Sequence, residues 1–204
     1  MVLRQFPDIN VVRQLRNDAT RPGNTWQNVA LNIRCKEVSR TGVESPYSLF
    51  LNKKGFSYCS VNKQQYRIET DKFLLTQPGE TYGLVVDNPG QTEICNIHIN
   101  RDFFNGWAHT MTVADEQQLD MPVTITDAAP RFFTQLYRVD EKLEWRTDQL
   151  RCIAPEDKQS FDIITGCIVQ HLLLSNNEKE QNSKATLLKG CCKGGHLQAP
   201  GTGL

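Results

Sequence analysis

The chain has 204 residues, 39% of them apolar, and a formal net charge of zero. That is enough for one domain with a helical appendage and a core of its own, and too apolar for a disordered polymer. Neutrality argues against nucleic acid as the chain's own main partner, because a DNA-binding domain draws affinity from a basic face that displaces counterions.

Asp8 to Asn17 is expected to form a short helix, with Asp8 as N-cap and Ile9, Val12 and Leu15 near helical spacing. Arg21-Pro22-Gly23-Asn24 breaks it. From Trp26 the period becomes two: Val29, Leu31, Ile33 and Cys35 alternate with Ala30, Asn32, Arg34 and Lys36, which describes a strand with one buried face. Thr41-Gly42 reads as a turn. Tyr47, Leu49 and Leu51 alternate in the next strand, Asn52 to Gly55 reads as a tight turn, and Phe56 to Val61 as the strand that returns from it. Val61-Asn62-Lys63 is a turn before a short strand with Tyr66 and Ile68. The apolar run Phe73-Leu74-Leu75 ends at the corner Gln77-Pro78-Gly79-Glu80. Leu84 to Val86, a turn at Asn88-Pro89-Gly90, and Ile94 to Ile99 complete the β region. Short strands separated by frequent turns suggest an antiparallel sandwich or barrel.

Helical texture follows. Asp102 to Thr110 reads as a short helix. Asp127-Ala128-Ala129-Pro130 reads as the start of another, with Phe133, Leu136, Val139 and Leu143 on one stripe. Pro155-Glu156-Asp157 opens a third, with Phe161, Ile164, Ile168 and Leu172 at steps of three and four. Asn176 to Ser183 reads as a helix end and linker, and the glycine-rich stretch from Lys189 as a disordered tail. Strands first and helices afterwards make an α+β layout.

No apolar run approaches the ~18 residues needed to span a bilayer. Met1 to Arg16 lacks the apolar core of a secretory signal. The seven cysteines are scattered, without a C-x-x-C pair. Reduced thiols and a cytoplasmic location are therefore expected.

The chemistry is sparse. A metal-dependent enzyme in a barrel needs histidines and a carboxylate converging on one ion, and the β region offers His98 alone, with His109 beyond the last strand. Cys191, Cys192 and His196 match no standard zinc spacing. No nucleophile signature or phosphate loop appears, and Cys59 and Cys95 lie in apolar strands, where a free cysteine behaves as a small hydrophobe. No catalytic residue, metal or cofactor is expected. A small barrel can hold one small ligand between its side chains. The candidates for that contact are Trp26, Arg34, Tyr47, Tyr58 and His98.

The order Glu44-Ser45-Pro46-Tyr47, Lys54-Gly55, Tyr58, Asn62, Tyr66, Phe73-Leu74-Leu75, Gln77-Pro78-Gly79-Glu80, Ile97-His98-Ile99 and Phe103-Phe104 resembles the N-terminal arm-and-cupin domain of AraC-type bacterial regulators, over roughly Trp26 to Phe104. The resemblance implies an antiparallel cupin-like (double-stranded β-helix) barrel followed by C-terminal helices. Residues 1–110 would be the sensing barrel with its arm, 111–182 a helical linker and dimerisation region, and 183–204 a tail. Arg131-Phe132-Phe133-Thr134-Gln135-Leu136 stands where the family's linker and dimerisation helices begin, and Lys184-Ala185-Thr186 resembles the lead-in to its DNA-binding half. The family would continue into helix-turn-helix units, whereas here Gly190-Cys191-Cys192-Lys193-Gly194-Gly195 follows. The expectation is a non-enzymatic module that senses a small effector, such as a sugar or small acid. It would form a homodimer through Phe161, Ile164, Ile168 and Leu172, and would contact neither DNA nor a membrane. A small metal-dependent cupin enzyme and a ligand-free cupin scaffold are the alternatives.

Overall fold

A computed structural model describes residues 1–6, 28–112, 132–154 and 156–191, the last stretch by backbone alone from 177 onward. The expected helix at Asp8 to Asn17, Trp26, the helix start at Asp127 to Pro130, Pro155 and residues 192–204 lie outside the described residues.

Two long strands organise the barrel. β1 (Val2–Leu3) pairs in parallel with the start of β2 (Val29–Glu44), and β2 runs antiparallel to β7 (Thr81–Ile99) along most of its length. The second half of β7 also pairs with β3 (Tyr47–Lys54), which pairs onward with β6 (Lys72–Thr76). The first half of β7 pairs with β4 (Ser57–Val61), whose other neighbour is β5 (Gln64–Ile68). β2 and β7 thus pass from one layer to the other and join them. α1 (Arg101–Thr112) follows; β8 (Leu136–Arg138) then adds to the free edge of β6, ahead of α2 (Glu141–Cys152) and α3 (Lys158–Cys191). The α+β arrangement of an antiparallel cupin-like barrel followed by C-terminal helices is as the resemblance implied.

Several expected breaks are bends instead. At Thr41-Gly42 the strand continues through a register shift between Arg40 and Val43, with Gly42 at φ +65°. Glycine adopts that conformation at no steric cost, so the chain bulges rather than turns. Asn88-Pro89-Gly90 likewise lies within β7, looped out where Cys35 pairs with Thr92 and Glu37 with Asp87. Asn88 Nδ2 pins this corner by donating to Phe56 O and Thr92 Oγ1. The strand after Gly55 does not return onto β3 but crosses to the other layer.

The face of β3–β6–β7 that carries Tyr47, Leu49, Leu51, Phe73, Leu75, Ile97 and Ile99 is covered by the helices. Tyr47 stacks on Phe104 of α1 at 3.9 Å. Asn100, directly after β7, caps α1 by accepting from the N–H groups of Asp102 and Phe103, which fixes that angle of approach. Asp140 caps α2 in the same way through Leu143 N–H.

Two helical expectations are corrected. Leu136 belongs to β8, with Phe133 before it and Val139 after it, and only Leu143 of that stripe is helical. Pairing with the open edge of β6 satisfies this backbone better than an isolated helical turn would. α3 runs through Asn176 to Ser183 and on to Cys191 instead of ending there. The Phe161, Ile168 and Leu172 stripe is buried within the chain's own core, with Ile164 packed at its border. The apolar face expected to meet a second copy is thereby occupied by the barrel and helices of the same chain. No helix among the described residues is long and apolar enough to cross a membrane.

Candidate functional site

The other face of the same strands lines the barrel interior. Because side chains alternate, burying the odd-numbered residues of β3 and of the second half of β7 under the helices turns the even-numbered ones inward. Ser48, Phe50 and Asn52 therefore share the interior face with Ile94, Asn96 and His98, and cross-strand pairing sets His98 opposite Ser48 and Asn96 opposite Phe50. The opposite layer contributes Cys59, Val61, Tyr82, Leu84 and Val86.

This interior has an apolar body and a polar end. Phe50 and Tyr82 meet edge to face at 4.8 Å, and both rings lie beside His98, at 5.9 and 6.3 Å. His98 Nδ1 and Ser48 Oγ are hydrogen-bonded at 2.9 Å. Ser48 continues to Ser45 at 3.1 Å, and Ser45 to Thr76. Burial pushes the His98 ring down to about 4, so it is neutral at ordinary pH. His98 is half-buried as a residue, and its Nε2 makes no hydrogen bond to a described residue.

Asn96 is the unusual member. It is 2% exposed, and its Nδ2 has no hydrogen-bond partner among the described residues. Asn52, on the same face, has its amide fully engaged: Nδ2 donates to Ser57 Oγ and Ile68 O. Asn96 and His98 are two residues apart on one strand, about 7 Å along it. The amide N–H of Asn96 and Nε2 of His98 are thus left without hydrogen-bond partners among the described residues, on one face of β7.

The charged groups nearby are already engaged. Glu80 sits at the corner with its Oε1 accepting from Asn62 and Thr134, and its Oε2 from the Gln77 N–H. It ties the β4–β5 hairpin to the segment entering β8. Arg40 lies on the Tyr82 side, with its guanidinium 5.8 Å from the Phe6 ring. Burial pushes the Cys59 thiol up to about 12 and Cys95 to about 11, so both behave as inert core groups.

Of the ligand candidates read from the sequence, four are among the described residues, and these are not brought together; His98 alone of the four lines the interior. Tyr47 is buried under α1, on the opposite face of its strand. Tyr58 points away from the interior that Cys59 faces and packs edge to face with Phe56. Arg34 is on the outer surface, 3.1 Å from Glu93. Ser48, Phe50, Tyr82 and Asn96 were missed. The readable signal was Asn96-x-His98 beside Ser48-x-Phe50-x-Asn52, polar residues at period two inside apolar strands.

A cleft of about 730 Å³ lies outside the barrel between the start of β2 and the end of α2. Its walls include Arg4, Arg34, Asp148 and Arg151. Arg151 bridges Glu93 at 3.1 Å and Asp148 at 3.5 Å, and Lys53 holds Asp148 at 2.9 Å. These charges mainly satisfy each other and strap α2 to the barrel. Among the described residues, no group of three or more His, Cys, Asp or Glu could hold a metal ion.

No family profile and no curated protein matches the sequence. Solved structures do resemble the fold. ToxT from Vibrio cholerae O395, bound to (E)-4-(8-methylnaphthalen-1-yl)but-3-enoic acid, aligns with a TM-score of 0.50 at 12% identity, over 76% of this chain and 58% of that one. Wild-type ToxT from Vibrio cholerae strain SCE256 with an unsaturated fatty acid bound gives 0.47 at 12%, over 75% and 54%. A cupin superfamily protein from Desulfitobacterium hafniense gives 0.29 at 12%, over 48% and 94%. The first of these supports the cupin-like fold, and at that identity the fold alone. This chain spans less than two thirds of the length of the ToxT chains it matches.

Proposed function

We propose that this chain is the ligand-sensing and dimerisation part of an AraC-type transcription regulator, acting without catalysis and without contacting DNA itself. The observation that carries the reading is the barrel interior: a neutral histidine and an unpaired buried amide beside the Phe50 and Tyr82 rings. An unsatisfied buried donor costs folding free energy, and such departures are expected at functional or strained sites. The family resemblance supports the regulatory role. The fold shared with ToxT, which is described with an acid bound, supports a small-molecule effector. Zero net charge suits a module that leaves DNA contact to another part of a regulator. A homodimer and a cytoplasmic location complete the proposal.

The test is thermal denaturation against a library of sugars, alcohols, amides and small acids. A ligand that binds only the folded chain raises the melting temperature by linkage, worth about 2.7 kcal/mol at a hundredfold excess over its dissociation constant. A library without a single hit would sink the sensing role. A sequence-specific mobility shift at nanomolar protein would separately overturn the claim about DNA.

A further inference from the structure

We propose that the cleft between the start of β2 and the end of α2 is a binding site in its own right, outside the barrel, and that it takes a small organic oxyanion whose phosphate or carboxylate group is held by Arg4, Arg34 and Asn32.

The backbone brings these three residues together. Val2 of β1 pairs in parallel with Ala30 of β2, and both side chains belong to the core beneath the helices. Side chains two apart on a strand share a face, so Asn32 and Arg34 follow Ala30 on the side that looks toward the helices. Arg4, two residues past Val2, joins them in the wall of the cleft, and Asp148 and Arg151 of α2 close the other side. The cleft of about 730 Å³ has the size of a small-molecule site, for which about 300–1,000 Å³ is usual.

The charges here do not balance. Arg4, Arg34, Arg151 and Lys53 stand against two carboxylates, Glu93 and Asp148. Arg151 and Lys53 are engaged: Arg151 bridges Glu93 and Asp148 and donates from Nε to Asn32 Oδ1 at 3.1 Å, while Lys53 holds Asp148. Arg34 meets Glu93 through Nε alone, so its two terminal nitrogens are left without partners among the described residues. Arg4 makes no ion pair or hydrogen bond to a described residue. Because Asn32 Oδ1 faces Arg151, its Nδ2 adds a neutral donor to the same wall. The carbonyl end of α2 contributes roughly half a negative charge, too little to offset the surplus. A concave surface of one sign concentrates counter-ions, and guanidinium forks match the paired oxygens of a phosphate or carboxylate.

The experiment compares phenyl phosphate, phthalate and benzyl alcohol on the full chain by calorimetric titration near neutral pH, at constant ionic strength. The two anions are expected to bind and benzyl alcohol is not. Arg4→Gln and Arg34→Gln are each expected to weaken anion binding by roughly tenfold or more. Their melting temperatures should stay near that of the unmutated chain, because Arg4 breaks no described contact and the Arg34–Glu93 pair is exposed on the arginine side. If Arg34→Gln does lower the melting temperature, Arg4→Gln carries the test. Added sodium chloride should weaken the anions by screening. Silence from both anions, benzyl alcohol binding as tightly as they do, or anion affinity that neither substitution moves would each overturn the proposal. Any of these would leave the reading of the barrel interior standing, since no residue of the cleft belongs to it.

Discussion

His98 and Gly166 show what single residues contribute. The unfolded chain protonates histidine near 6.5, whereas the folded one holds His98 neutral down to about 4. Above pH 6.5 both states are neutral and no stability is lost. As pH falls through the window from 6.5 to about 4 the unfolded state takes up a proton that the folded state refuses, and stability declines, by on the order of 3 kcal/mol across the full window. His98→Gln should flatten that part of the pH dependence, and denaturant midpoints at the two ends of the window measure it. An unchanged slope would mean that the ring is solvated in the folded chain. Gly166 faces Trp107 so closely that a Cβ there would fall within the indole. Alanine gains up to about 1 kcal/mol of helix propensity over glycine, but overpacking costs about 1–3 kcal/mol. The clash should win, and Gly166→Ala should lower stability. In a Trp107→Ala background the sign should reverse, since the obstacle is gone and only propensity is left. A double-mutant cycle in urea reads that coupling, and additive effects would count against the packing account.

The β4–β5 hairpin carries the clearest prediction among the elements. Val61 pairs with Gln64 across two residues, Asn62 and Lys63, both at positive φ (51° and 67°). That is the conformation of a two-residue type I′ turn, which matches the twist of its strands and favours Asn-Gly. Asparagine tolerates it and lysine less so, so Lys63→Gly should stabilise the chain by roughly 0.5–1 kcal/mol in equilibrium denaturation. A neutral or destabilising result would show that the turn is not under strain. This hairpin was legible from the sequence because its signal is local: alternation, then two turn residues. The long strands were not, because glycine and proline at Gly42 and Pro89 mark a turn and a bulge alike, and only pairing with a partner decides between them. β8 was misread as helical because its apolar residues fit either period over so short a run, and the open edge of β6 settled the matter. The site was half legible. His98 stood out by its chemistry, but Ser48 and Asn96 read as the solvent side of half-buried strands. They are interior because helices cover the other face, a fact no single strand carries.

At the scale of the whole molecule the question is where a second copy would sit. Ile168 and Leu172 lie in the core that joins barrel to helices, 0% and 4% exposed. Ile168→Glu would bury an unpaired carboxylate there and should cost at least ~3 kcal/mol, unfolding the chain rather than separating a dimer. The apolar surface that α3 does offer is different. Ile163 and Leu174 are 55% and 49% exposed and eleven residues apart, three full turns, so they share one outward stripe. Cys167 and Gln170 lie between them on that face. A two-fold axis across α3 would set each of these residues against its mate. The dimer of the proposed regulator should therefore run through this outer stripe. Ile163→Glu and Leu174→Glu should each yield a folded monomer with a melting temperature near that of the unmutated chain at low concentration. Light scattering on the unmutated chain at tens of micromolar decides first, because a monomer there ends the dimer proposal. If the unmutated chain is dimeric and both glutamate variants stay dimeric, the contact lies elsewhere on the surface, with exposed Trp145 and Phe133 as the next positions to substitute.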